Sequence, residues 1–147
     1  TPSQSSAASD VYKRQTSENS PLECGFEKYC ALSSDIDFIG KAKLKSEKNI
    51  GPKLKLCGIA FGGEAQSACT IPWPIYFNNL KIGEITSGIY NPSLKVNTGI
   101  ALVMTENLDN LSTVKVKALN SKITEGVICS LPFTISKNYE LINQIRY

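Results

Sequence analysis

The chain has 147 residues, enough for one domain of ordinary size and not for two large ones. Its 41% hydrophobic content can bury a core, and its net charge of +3 is too small to imply a nucleic-acid partner without a clustered patch. It has no histidine, which removes the commonest general base, the commonest zinc ligand and every Ser-His or Cys-His nucleophile pair.

Thr1–Gln15 shows no periodicity and reads as a disordered tail. Within it, Ser5–Gln15 matches one reading frame of a transposase-type sequencing adapter residue for residue. Residues 1–15 are therefore expected to be non-native, with the true gene continuing upstream of this C-terminal piece. Thr16–Pro21 is polar, and Leu22–Leu32 mixes apolar and charged residues around Gly25. Asp35 or Asp37 can cap a helix over about Phe38–Lys48. Phe38, Ile39, Ala42 and Leu44 would form its apolar stripe, with Lys41, Lys43, Lys45, Glu47 and Lys48 solvated. Gly51-Pro52 ends it.

From Lys53 the period changes to two, and Lys53–Ala60 reads as a strand buried on at least one face, ended by Gly62-Gly63. Pro72-Trp73-Pro74 is rigid and leads into a short strand, Ile75–Phe77. Asn78-Asn79 is a hairpin turn, because asparagine tolerates positive φ. Leu80–Ile89 is the return strand, with Gly83 as a candidate bulge. Asn91-Pro92-Ser93 turns the chain into an apolar strand, Gly99–Met104, and Thr105–Asn110 can hold a helical turn. Thr113–Leu119 and Lys122–Leu131 alternate again around an Asn120-Ser121 turn. Short strands separated by turn signals predict a mainly β protein, a small barrel or sandwich.

The residues offer little resident chemistry. The five cysteines form no C-x-x-C pair, and their odd number without a secretion signal fits buried free thiols in a reducing, cytoplasmic compartment. Gly62-Gly63 lacks the Gly-Lys-Ser/Thr of a phosphate loop and reads as a turn. Lysines 41, 43, 45, 48, 53 and 55 read as a solubilising face in preference to a nucleic-acid site. Trp73 can plug a barrel end or serve as a stacking platform. No carboxylate pair has the spacing of an acid/base couple, and no apolar run approaches the ~20 residues of a membrane span. Neither nucleic acid nor membrane is expected as a partner.

Four motifs occur in order: Pro21-Leu22-Glu23-Cys24-Gly25-Phe26; Asp37-Phe38-Ile39-Gly40-Lys41; Gly83-Glu84-Ile85-Thr86-Ser87-Gly88 with Asn91-Pro92-Ser93-Leu94; and Leu131-Pro132-Phe133. From Ser20 to about Phe133 the chain resembles the C-terminal portion of the aminomethyltransferase family, whose best-known member is the glycine cleavage T-protein. Glu23–Phe26 and Ser34–Lys41 lean toward the dimethylsulfoniopropionate demethylases of that family. The Gly83–Leu94 stretch leans back toward the T-protein.

The resemblance implies a three-domain ring around tetrahydrofolate. Residues 16–50 would be the helical end of an upstream α+β folate-binding domain. Residues 51–133 would be a small jelly-roll-like C-terminal β-barrel, and 134–147 a tail. The implied reaction moves a methyl group from dimethylsulfoniopropionate to N5 of tetrahydrofolate. The first rival is the aminomethyltransferase of glycine cleavage, with an amine donor and a lipoyl carrier protein as partner. The second is a non-enzymatic binding or assembly barrel. The catalytic residues would lie in the upstream domains of the same chain, so this piece alone is expected to transfer no methyl group. Carried onto this sequence, Glu23 would face the folate cavity or cap neighbouring backbone. Thr86, Ser87 and Tyr90 are placed on the loop after a barrel strand, lining the cavity floor or structuring the turn. Tyr139 would lie near the ligand from the tail.

Overall fold

The computed structural model describes residues 18–110, 113–119, 122–131, 140, 142, 143 and 145. The segment 1–15, expected to be non-native, lies outside them, as do Tyr139 and the Asn120-Ser121 turn.

A 3-10 turn, Glu27–Tyr29, and one helix, α1 (Lys41–Ile50), precede the strands. The helix starts later than the expected Phe38. Gly40 holds its N-cap position at φ 90, without a side-chain cap, while Asp37 uses Oδ1 to accept from the Phe38 amide at 3.0 Å. Gly51, at φ 96, ends the helix as expected. The predicted apolar stripe is not a core face. Ile39 is fully exposed (103%) and Phe38 and Ala42 are exposed too. The buried residue of α1 is Lys41, a position expected in solvent. Its ammonium donates to Ser34 O at 2.7 Å and Ile36 O at 2.6 Å, so the long apolar stem is sunk and the charge satisfies two loop carbonyls.

Six strands follow: β1 (Leu54–Phe61), β2 (Trp73–Phe77), β3 (Leu80–Asn91), β4 (Val96–Met104), β5 (Val114–Lys117) and β6 (Ile123–Cys129). They close into an antiparallel barrel in the order β1-β4-β3-β2-β5-β6. The expected β-barrel is therefore present, and its jelly-roll-like crossing is one Greek key: β2, β3 and β4 are hairpin-linked and β1 lies beside β4. Asn78 and Asn79 turn the β2–β3 hairpin with φ of 48° and 64°, the left-handed pair that matches strand twist. In the β3–β4 turn, Asn91 Oδ1 accepts from the Ser93 and Leu94 amides at 3.0 and 3.1 Å.

Two irregularities bend β3. Tyr76 pairs with Lys81 and Ile75 with Gly83, which leaves Ile82 as the extra residue beside the predicted bulge position. Ile85 pairs with Ala101 and Ser87 with Ile100, which leaves Thr86 extra. Gly83 sits where backbones touch: a Cβ there would lie 2.3 Å from Leu102 O.

The barrel interior holds Cys57, Ile59, Phe61, Trp73, Ile75, Ile82, Ile85, Ala101, Val103, Val114 and Val116. A second cluster joins Ala60, Leu94, Val96, Val127 and Cys129 to Ile142 and Ile145 near the chain's end. β1 is thus buried on both faces in its second half. Its odd-numbered residues fill the barrel, and Ala60 packs outward. Trp73 is 1% exposed and meets Phe61 edge-to-face at 5.8 Å, so it serves as the barrel plug.

Candidate functional site: the Glu23 junction and the β3–β4 hollow

Ser20-Pro21-Leu22-Glu23 folds as a reciprocal capping box on a single turn. The Glu23 amide donates to Ser20 Oγ at 3.2 Å, and the Ser20 amide donates to Glu23 Oε2 at 3.2 Å. Asn19 Nδ2 donates to the same Oε2 at 3.5 Å. The other carboxylate oxygen, Oε1, accepts from the Leu54 amide at 3.3 Å, and the Glu23 carbonyl accepts from the Leu56 amide at 3.1 Å. Ser20 Oγ also donates to Glu47 Oε1 on α1. Glu23 itself is 9% exposed. With Glu18, Ser20, Lys43, Glu47 and Lys53 it borders a hollow of about 430 Å³.

Thr86, Ser87 and Tyr90 do not stand on a loop. All three lie within β3, which runs on to Asn91. The strand extends because the 66–69 segment takes over its edge where β2 begins: Cys69 donates to Gly88 O at 2.8 Å and Tyr90 to Gln66 O at 3.3 Å. Ser87 borders a second hollow, about 380 Å³, with Ala68, Cys69, Gly88, Ile89 and Thr98. Thr86 turns its hydroxyl to Ile100 O at 3.5 Å. Tyr90 shares a face with its register partner Asn97. Among the described residues, Glu23 and Ser87 therefore border two separate hollows, and the candidates do not converge on one cavity. A pterin needs a deep cleft with free donors and acceptors. The Glu23 oxygens are already committed to backbone amides, so these residues do not by themselves fit that group.

Asn97 belongs to none of the sequence motifs. It is wholly buried; Oδ1 accepts from the Gln66 amide at 2.8 Å, and Nδ2 donates to Gly62 O at 3.3 Å and Glu64 O at 3.0 Å. Its signal is parity: Asn97 falls in step with Gly99, Ala101 and Val103, the inward positions of β4.

All five cysteines are free, and four are buried. Burial pushes the Cys57 thiol up to about 12 and the Cys129 thiol up to about 11. Cys24 is raised as well, by burial first and then by the Glu23 charge. Such thiols are poor nucleophiles near neutral pH. Native alkylation at pH 8 is therefore expected to label Cys30 first, leaving Cys57 and Cys129 unmodified until denaturant is added. A thiol whose folded pKa is raised stabilises the fold below its unfolded pKa and loses that contribution as pH climbs through the folded value. Stability should accordingly fall between about pH 9 and 12 on account of these two groups. A Cys57→Ala/Cys129→Ala variant should show a flatter alkaline limb in its melting profile.

Among the described residues no group of His, Cys, Asp or Glu is placed to hold a metal ion, and no helix is long and apolar enough to cross a membrane. What the geometry defines is a closed Greek-key barrel with a short helical lead-in.

Residues 55–134 match the family model described as the glycine cleavage T-protein C-terminal barrel domain, and the chain belongs to that family. It is 36% identical over 88 residues to the dimethylsulfoniopropionate demethylase DmdA of Ruegeria pomeroyi, covering 60% of this chain and 23% of the relative. It is 34% identical over 121 residues to an aminomethyltransferase of Bacillus pumilus, covering 80% of this chain and 32% of the relative. The solved structure of glycine cleavage system aminomethyltransferase T from Bartonella henselae superposes with a TM-score of 0.61 at 18% identity, over 84% of this chain and 34% of that one. The chain thus spans a third or less of these curated relatives.

Proposed function

We propose that the complete polypeptide is a tetrahydrofolate-dependent methyltransferase that demethylates dimethylsulfoniopropionate, and that this chain supplies its closing barrel. The observation that carries the reading is the 36% identity to DmdA together with the Glu23-Cys24-Gly25-Phe26 and Ser34–Lys41 motifs. In such a transfer the S–CH₃ bond breaks with its electron pair going to sulfur. Tetrahydrofolate, held by the preceding part of the polypeptide, would supply the nitrogen that accepts the methyl group. Because the sulfonium is already a cationic leaving group, the protein mainly has to align donor and acceptor and exclude water.

On this reading the preceding part of the polypeptide grips the folate and the methyl donor. Ser87 and Glu23 lie at the borders of the barrel's contribution, with Thr86 and Tyr90 on the same strand as Ser87. Exposed apolar residues support a missing cover. Phe26, Tyr29, Ile36, Phe38, Ile39 and Ile50 are all exposed, and all lie in the lead-in before the barrel. The free thiols suit a reducing cytoplasm.

The longer match to the aminomethyltransferases favours a second reading, in which an amine donor is delivered by a lipoyl carrier protein. The full-length gene product should be assayed with dimethylsulfoniopropionate and with an aminomethyl-lipoyl carrier, each with tetrahydrofolate. Methyl transfer from the sulfonium alone supports the first reading. Turnover of the carrier alone replaces it with the second, and turnover of neither removes both. This chain alone should turn over neither substrate.

A further inference from the structure

Among the described residues, the barrel has a seam that no strand fills. β4 covers one side of β1 from Leu54 to Phe61, but β6 covers the other side only from Gly58 to Phe61. The amides of Leu54 and Leu56 would be left without a ladder partner there. Glu23 takes both, Leu54 on its carboxylate and Leu56 on its carbonyl. It is held in place by the capping box to Ser20, and Ser20 is tied in turn to Glu47 on α1. Glu23 therefore joins the lead-in turn to the open edge of the barrel, with Ser20 linking the pair to the helix.

We propose that Glu23 is a positioning residue, a side-chain substitute for the missing strand that sets the angle of the barrel against the segment leading into it. The carboxylate suits this work. It offers an acceptor oxygen to each side, Oε2 toward the lead-in and Oε1 toward β1, which a glutamine amide cannot do without turning a donor against an amide donor. Its bonds are charge-assisted and largely withdrawn from solvent, the setting in which losing one is most costly. In the complete enzyme, a reading that rests on the proposed function above, a swivel of the barrel would misalign the cavity it closes without touching a reacting atom.

The test is hydrogen exchange on this chain, parent against Glu23→Ala and Glu23→Gln. In Glu23→Ala the amides of Leu54 and Ser20 should exchange roughly tenfold faster or more, while those of Gly58–Phe61, paired to β6, keep their protection. Glu23→Gln should show a smaller acceleration, since one acceptor survives, and it keeps the test open if the alanine variant fails to fold. Unchanged exchange at Leu54 in either folded variant would overturn the proposal. In the full-length enzyme Glu23→Ala should lower kcat/KM by roughly tenfold or more while Gly58–Phe61 keep their exchange protection. Unchanged kcat/KM would equally overturn a positioning role. If the parent full-length enzyme itself transfers no methyl group, the functional reading fails, and the exchange result still decides the clasp.

Discussion

Trp73→Ala is expected to lower the unfolding free energy of the barrel by about 3–5 kcal/mol, the usual cost of emptying a large aromatic site. The ring is almost fully buried and packs edge-to-face on Phe61 at 85°. The strands have been shaped around it. Gly88 and Gly99 face each other across β3 and β4, and a Cβ on Gly88 would lie 2.9 Å from the indole Cζ3. No smaller side chain fills that space. Trp73→Phe should cost less than half as much, because it keeps a ring against Phe61. It also removes an indole N–H that has no acceptor among the described residues, so part of the lost packing is offset. Urea unfolding followed by circular dichroism is the measurement, since the chain's single tryptophan disappears in both variants. A loss below about 1 kcal/mol for the alanine variant would return Trp73 to the role of a surface stacking platform.

Asn97→Ala should cost about 2–4 kcal/mol, at roughly 1 kcal/mol or more for each backbone group it strands. Two are stranded outright, the Gln66 amide and the Gly62 carbonyl, while the Glu64 carbonyl keeps the Gln66 Nε2 donor at 3.0 Å. The damage should begin locally. The loop after β1 would come away first, and with it the Gln66–Cys69 segment that covers the edge of β3. Limited proteolysis should then cut between Gly62 and Pro72 in the variant and not in the parent. Asn97→Asp separates the two halves of the side chain. It keeps the acceptor for Gln66 but points a carboxylate at two carbonyls, so it should be no more stable than the alanine variant. An aspartate variant as stable as the parent would mean that the Nδ2 bonds contribute nothing.

The strands are largely legible in the sequence because each is written in side-chain alternation and punctuated by turn residues. Asn78-Asn79 announces its own backbone, since few residues accept positive φ twice running. Polarity taken one residue at a time misleads. Asn97 and Thr98 look like turn residues, which moves the expected start of β4 to Gly99, yet Asn97 is buried by solvating a loop. Lys41 looks solvated because lysines usually are, and only the fold brings Ser34 O and Ile36 O to its ammonium. Thr86, Ser87 and Tyr90 fall on a strand instead of the expected loop, and nothing in the sequence marks 66–69 as the segment that prolongs β3. For Glu23 the sequence leaves capping and cavity-facing open. The capping box is visible as Ser20-x-x-Glu23, but its second task depends on where β6 stops.

The Greek-key order also dictates a sequence of events in time. β2, β3 and β4 are neighbours along the chain and can zip from their turns with short closures. β1 is made before all of them, yet its ladder partners are β4 and β6, far downstream. Cys57–Phe61, apolar on both faces, must therefore wait unpaired while most of the polypeptide is synthesised. The rate of assembly is set by that long-range docking, and the waiting strand is where a nascent chain would aggregate.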